Sequence, residues 1–243
     1  MIKIFKTTDS GVLQISEFED NSWISMTNPT TEELFSVSST YKIAPDDLRA
    51  SLDEEERSRI EIEEYYSLIL VDIPTIEERN GKDWYGTIPL AIIICDKVIV
   101  TVCLEDSPVL TAFMDGRVRN FYTHMKTRFI FQILYRNATL YLNYLRIIDR
   151  RSDAIEQKLH EATKNRELIE LLELEKSLVF FTTSLKSNEV VLEKLLKSTA
   201  IKKYPEDEDL IEDVIVENKQ AIEMANIYSC LLYTSPSPRD RSL

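Results

Sequence analysis

Carboxylates are the side chains in this sequence whose type and spacing could do chemistry. One group is Asp46 and Asp47, followed by Asp53, Glu54, Glu55 and Glu56. A second is Glu206, Asp207, Glu208 and Asp209, with Glu212 and Asp213. A hard divalent cation such as Mg²⁺ needs only one or two carboxylates beside its own waters. Loose acid clusters that meet across a subunit interface can therefore hold such an ion weakly. A charge run taken alone is more often a solvated face, and no EF-hand spacing is present. His124 and His160 lie far apart and have no second ligand at helical spacing beyond ordinary glutamates. No serine sits in a nucleophile elbow and no cysteine has a histidine nearby in sequence, so an enzyme reading has little to stand on. Four glycines leave no phosphate-cradling loop, and no catalytic cofactor is implied.

The elements that must position these acids fall into two blocks. Residues 1–5, 12–15 and 23–26 alternate as strands, with a turn at Asp9, Ser10 and Gly11. Thr30 and Glu33 have capping-box spacing and open a short helix. Pro45 opens another, which leads into the acidic loop at 53–56. Ile60 and Ile62 alternate with Glu61 and Glu63, as on an edge strand. Residues 66–73 read as a buried strand; 87–94 and 98–103 read as a hairpin turning at Cys95, Asp96 and Lys97. Ser107 and Pro108 start a helix expected to run to about Tyr122.

Beyond Thr127 the pattern is helical only. Phe129, Ile130, Phe131, Ile133, Leu134 and Tyr135 make a helix start that is apolar nearly all round; the pattern then thins to Ile148, Ile155, Leu159 and Ala162. Asn165 is expected at the turn into the next helix. There Leu171, Leu174, Leu178, Phe181, Leu185, Asn188, Leu192 and Leu195 alternate steps of three and four, a coiled-coil seam with one polar member. A third helix is expected after Pro205, its opening acids suited to the positive end of the helix dipole. Its seam is Ile211, Val214, Asn218, Ala221, Ala225 and Tyr228, and its small residues favour packing of several copies around an axis. The fold class is therefore α/β (α+β): a mixed β-sheet head flanked by short helices, then a long antiparallel two-helix arm, then the start of a long stem helix. The expected boundaries are 1–122 for the head, 123–204 for the arm and 205–229 for the stem. From Cys230 the period breaks, and 230–243, with Pro236 and Pro238, read as a non-native tail.

Net charge is −13, which argues against nucleic acid and against docking on anionic lipid through the bulk surface. Cys95 and Cys103 sit in apolar runs, Cys230 lies near the end, and there is no C-x-x-C; inert thiols in a reducing compartment are expected. No leader is expected at the N-terminus, and no segment has the roughly 18 apolar residues of a membrane span.

The order and spacing of these motifs resemble the cytoplasmic part of the CorA-type Mg²⁺/Co²⁺ transporters. Trp23, Ile24, Pro29, Thr30, Glu33 and Leu34 are similar to the family's opening motif. The passage from Ile43, Ala44 and Pro45 to Leu52, then Arg57, Ser58, Arg59, Ile60 and Glu61 with Tyr65 and Tyr66, resembles its next segment. The hairpin at 93–102, the two arm helices and the stem beginning near Asp209 complete the match, which covers 1–229. The resemblance implies a homopentamer in the inner membrane with this part on the cytoplasmic side. It also implies Mg²⁺ or Co²⁺ as transported and regulatory ion, and a pore, absent from this sequence, beyond residue 229. Some members hold regulatory divalent ions between subunits. Asp213 matches one acid of that site; its partner position holds Ala50, and Asp46, Asp47 or Asp53 could substitute. The alternative is a soluble oligomeric protein that uses its coiled-coil arm to bind partner helices.

Overall fold

The computed structural model describes residues 1–79, 81–161, 165–199, 201 and 204–234. The head is a seven-stranded sheet. Its strands are β1 (Ile2–Thr8), β2 (Gly11–Ile15), β3 (Trp23–Thr27), β4 (Arg59–Ile62), β5 (Tyr66–Arg79), β6 (Lys82–Cys95) and β7 (Ile99–Cys103). The spatial order is β2-β1-β3-β7-β6-β5-β4. Only the β3–β7 pair is parallel, with Trp23 opposite Ile99. The resulting α/β fold with long helices agrees with the class read from the sequence.

Both faces of the central strands are covered, which explains their near-continuous apolar runs. One face carries Ile24, Met26, Leu68, Leu70, Ile93 and Val100, under α1 (Thr31–Tyr41), α2 (Pro45–Arg49) and a 3-10 turn at Ala50–Leu52. The other carries Trp23, Ile69, Val71, Leu90 and Ile92, under α3 (Pro108–Met114) and the long helices. Trp23 is fully buried there, with Phe5 and Phe129 rings each 5.1 Å away. Its Nε1 donates to Thr101 Oγ1 at 2.9 Å, which satisfies the indole inside an apolar site. The capping box at α1 forms as expected: Glu33 N donates to Thr30 Oγ1 and Thr30 N to Glu33 Oε2.

Three local expectations are corrected. The helix from Pro108 stops at Met114, well short of Tyr122. Gly116 takes φ 66°, its N–H bonds Phe113 O, and Arg117 N bonds Ala112 O, the paired closure of a Schellman motif. The strands expected to end at Ile73 and begin at Thr87 instead continue as a hairpin of two 14-residue strands. It closes around Gly81 (φ 73°), a left-handed conformation that glycine adopts without steric cost. Asn165 is the first residue of a helix, not a turn.

The long helices are α4 (Lys126–Glu161), α5 (Asn165–Lys197) and α6 (Pro205–Thr234). At ~1.5 Å per residue, α4 spans about 54 Å. α6 packs along both α4 and α5, more extensively than those two pack on each other. Its Ile211, Val214, Ala221 and Ala225 are fully buried against them, and Asn218 Nδ2 donates to Leu185 O at 3.1 Å. The small-residue seam expected to join copies is therefore spent inside one chain. α6 also passes Cys230 and reaches Thr234, because nothing before Pro236 stops it; residues 235–243 of the expected tail lie outside the described residues. No described helix is long and apolar enough to cross a membrane.

Candidate functional site

The head meets the arm at Asp72. On the β4 side of β5, Leu68 and Leu70 pair with Glu61 and Arg59, and the next pairing along would give Asp72 to Arg57. β4 has ended by then, so the backbone of Asp72 needs other partners. Asn188 supplies them: its Oδ1 accepts from Asp72 N at 2.8 Å and its Nδ2 donates to Asp72 O at 2.8 Å. Asn137 Nδ2 and Tyr141 Oη donate to the same carbonyl at 2.9 and 3.2 Å. Ser58 Oγ donates to Asn188 Oδ1 at 3.1 Å. The polar member of the α5 seam is thus a side-chain continuation of the sheet. Burial pushes the Asp72 carboxyl up to about 6, opposed by hydrogen bonds from Ser184 and Ser58.

Two ion-pair groups fix the rest of the arm. At the tip of the β5–β6 hairpin, Lys82 and Arg151 converge on Glu170. Burial raises the Glu170 carboxyl, but its bonds to Lys82 and Arg151 outweigh that and hold it below the usual carboxylate range. Arg79 stacks on Trp84 with its guanidinium carbon 3.7 Å from the ring centroid, and Trp84 meets Phe180 of α5 at 5.7 Å. At the other end, Arg128 Nε of α4 donates to Asp207 Oδ1 of α6 at 2.8 Å. Asp207 is only 4% exposed, so this member of the second acid group is a buried structural anchor.

The remaining acids are spread out. Asp213 is exposed on α6. Asp46 and Asp47 lie in the first turn of α2, and Asp53 follows the 3-10 turn. Asp47 accepts from the Tyr66 hydroxyl, whose oxygen also accepts from Ala44 N at 3.2 Å, so Asp47 anchors the start of α2. Burial and that bond to Asp47 push the Tyr66 phenol up to about 12. The α2 acids and Asp53 belong to one helical layer and Asp213 to the other, with the sheet between them. Within one chain the structure does not bring them together. Among the described residues, no group of three or more His, Cys, Asp and Glu could hold a metal ion. His124 is exposed, and the surroundings of His160 lie outside the described residues. Burial pushes the Cys95 and Cys103 thiols up to about 12 and 11, as suits inert core cysteines.

Comparison with known proteins identifies the family. The family described as CorA-like Mg²⁺ transporter protein matches residues 18–232. The chain belongs to the CorA family. The cobalt/magnesium transport protein CorA of Methanocaldococcus jannaschii is 30% identical over 215 residues, which cover 85% of this chain. The match spans 65% of that relative's length. The soluble domain of the same organism's CorA superposes with a TM-score of 0.83 at 25% identity, covering 96% of this chain and 94% of that one. The complete CorA magnesium transporter of that organism gives a TM-score of 0.85 at 24% identity, covering 96% and 74%, a likeness of fold.

Ala50 stands at the position expected from the resemblance to partner Asp213. It is 7% exposed and packs in the apolar layer with Leu48 and Ile43. A carboxylate in that place would need a charged partner that the layer does not offer. Sequence reasoning singled out the exposed acids and missed Asp72, because an isolated aspartate in an apolar strand has no signal at its own position. The polar seam residue Asn188 was the available signal.

Proposed function

We propose that this chain is the cytoplasmic, divalent-cation-sensing funnel part of a CorA-type transporter that carries Mg²⁺ or Co²⁺ across the inner membrane as a homopentamer. Family membership over residues 18–232 carries the reading. The head, arm and stem order supports it, as does the likeness to the cobalt/magnesium transport protein of Methanocaldococcus jannaschii. In this reading α6 is the lever between the head and the pore. Regulatory ions bind between copies, with Asp213 of one chain and Asp46, Asp47 or Asp53 of the next as ligands. The separation of these acids by the sheet within one chain favours that shared arrangement. Hydrated Mg²⁺ suits it, since two carboxylates from different chains suffice when the ion keeps most of its waters.

The test is a chimera. Residues 1–234 are joined to the membrane segments of the Methanocaldococcus jannaschii relative and expressed in a bacterium that lacks its own magnesium uptake. Growth without magnesium supplementation is expected. A well-expressed, membrane-inserted chimera that never supports growth contradicts the proposal.

A further inference from the structure

Arg136 is out of keeping with the other half-buried arginines. Arg59 pairs with Glu56 and Glu61, Arg128 with Asp207, and Arg151 with Glu170. Arg136, on α4, makes no ion pair among the described residues, and its Nε is buried without a hydrogen-bond partner. Its guanidinium lies 5.9 Å from the centre of the Phe113 ring. Burial, reinforced by the like charge of Arg117, lowers its pKa below the ordinary arginine value. A buried guanidinium nitrogen with nothing to donate to is costly, and a carboxylate is the group whose geometry satisfies it. The side chain borders a cleft of about 140 Å³ between α3 and α4, lined also by Pro108, Tyr135, Thr139, Leu140 and Asn143.

The opposite layer of the sheet carries the complementary feature. Asp53, Glu54 and Glu55 are exposed beside the 3-10 turn and make no ion pair among the described residues. A basic cleft on one side of a chain and an acidic loop on the other are the two halves of a heterologous contact. Such a contact closes into a ring when its rotation allows. We propose that the Arg136 cleft receives the acidic loop at Asp53, Glu54 and Glu55 of a second copy of this chain. The cleft is incomplete without that copy. The proposal rests on the oligomeric transporter reading and assigns one of its contacts.

The test is sedimentation velocity of the 243-residue chain over a range of concentrations, with circular dichroism to confirm folding. The wild-type chain associates. Arg136→Glu weakens association roughly 10- to 100-fold, and so does the loop reversal Asp53→Lys, Glu54→Lys, Glu55→Lys. Combining the two reversals restores it. Arg136→Gln, which removes charge without reversing it, gives an intermediate loss and covers the case in which Arg136→Glu fails to fold. Association indifferent to these variants overturns the proposal, and so does a combined variant no better than either reversal alone. A wild-type chain that stays monomeric also overturns it. If that monomer gains an Arg136-dependent rise in melting temperature from inorganic phosphate, the cleft is a small-anion site instead. In each of these cases the transport reading stands or falls separately, by the growth of the chimera.

Discussion

Asn188 holds both backbone groups of Asp72, accepting its N–H and donating to its C=O, each at 2.8 Å. One side-chain amide therefore does the work of the strand residue that β4 no longer provides. It also ties α5 to the head at a defined register. A polar residue at a coiled-coil seam position is known to set register at some cost in stability. Here its partner is a strand, not another helix.

Replacing Asn188 removes that link. Asn188→Ala leaves the buried Asp72 N–H without its partner and removes one donor from the Asp72 carbonyl, so a loss of about 2–3 kcal/mol in urea unfolding is expected. Asn188→Leu, which restores apolar volume, should recover little of it. A variant within about 0.5 kcal/mol of wild type would show that water or another side chain takes over.

Asp72 makes stability depend on pH. Its folded pKa of about 6 lies above the ordinary aspartate value of ~3.9. The folded chain therefore binds this proton more tightly than the unfolded chain. The contribution is fully present below about pH 4 and is lost as pH rises through 6. At pH 7.5 the ionised carboxylate costs about 3 kcal/mol. Asp72→Asn keeps an acceptor for Ser58 and Ser184 and should stabilise the chain by about 2–3 kcal/mol at pH 7.5. The gain should shrink toward zero at pH 4. A difference between the two proteins that does not change from pH 4 to 7.5 would refute the assignment.

The Arg128–Asp207 pair clamps the start of α6 to the start of α4. Arg128→Ala leaves a buried carboxylate unpaired, and about 3–5 kcal/mol should be lost. Replacing both residues with leucine should cost much less. Hydrogen exchange of the first turns of α6 reports the effect locally: it should accelerate in Arg128→Ala and recover in the double variant.

Asp213 tests the sensing site. If copies share an ion with an apparent Kd near ~1 mM, about 10 mM Mg²⁺ stabilises the chain by roughly 1.4 kcal/mol. The melting temperature should then rise by about 3–6 °C. Asp213→Ala should remove most of that rise, and Glu212→Ala little of it. Equal responses from wild type and Asp213→Ala would remove Asp213 from the site.

Much of the architecture was readable from the residues. The alternation at Ile60 and Ile62, the capping box at Thr30 and the seam from Leu171 to Leu195 each encode an element locally. The long hairpin was harder, because Ile76 to Tyr85 mixes charged residues with aromatics whose packing partners lie on the distant arm. The helix end at Met114 turned on Gly116, a single residue inside an otherwise helical pattern. The seam of α6 was found, but its partner was not: periodicity shows that Ala221 and Ala225 face a helix, not which chain that helix belongs to. For the site, exposed acids could be found as types in a row. Their separation by the sheet, and the role of Asp207 as a buried anchor, depend on tertiary packing.

As proposed, the chain senses Mg²⁺ or Co²⁺ and serves its transport. Magnesium uptake into liposomes containing the purified chimera tests it most directly, measured with low and with high internal magnesium. The account predicts uptake well above empty liposomes at low internal magnesium, suppressed at high internal magnesium, with the suppression weakened by Asp213→Ala. Uptake no greater than in empty liposomes, or uptake indifferent to internal magnesium, would contradict it.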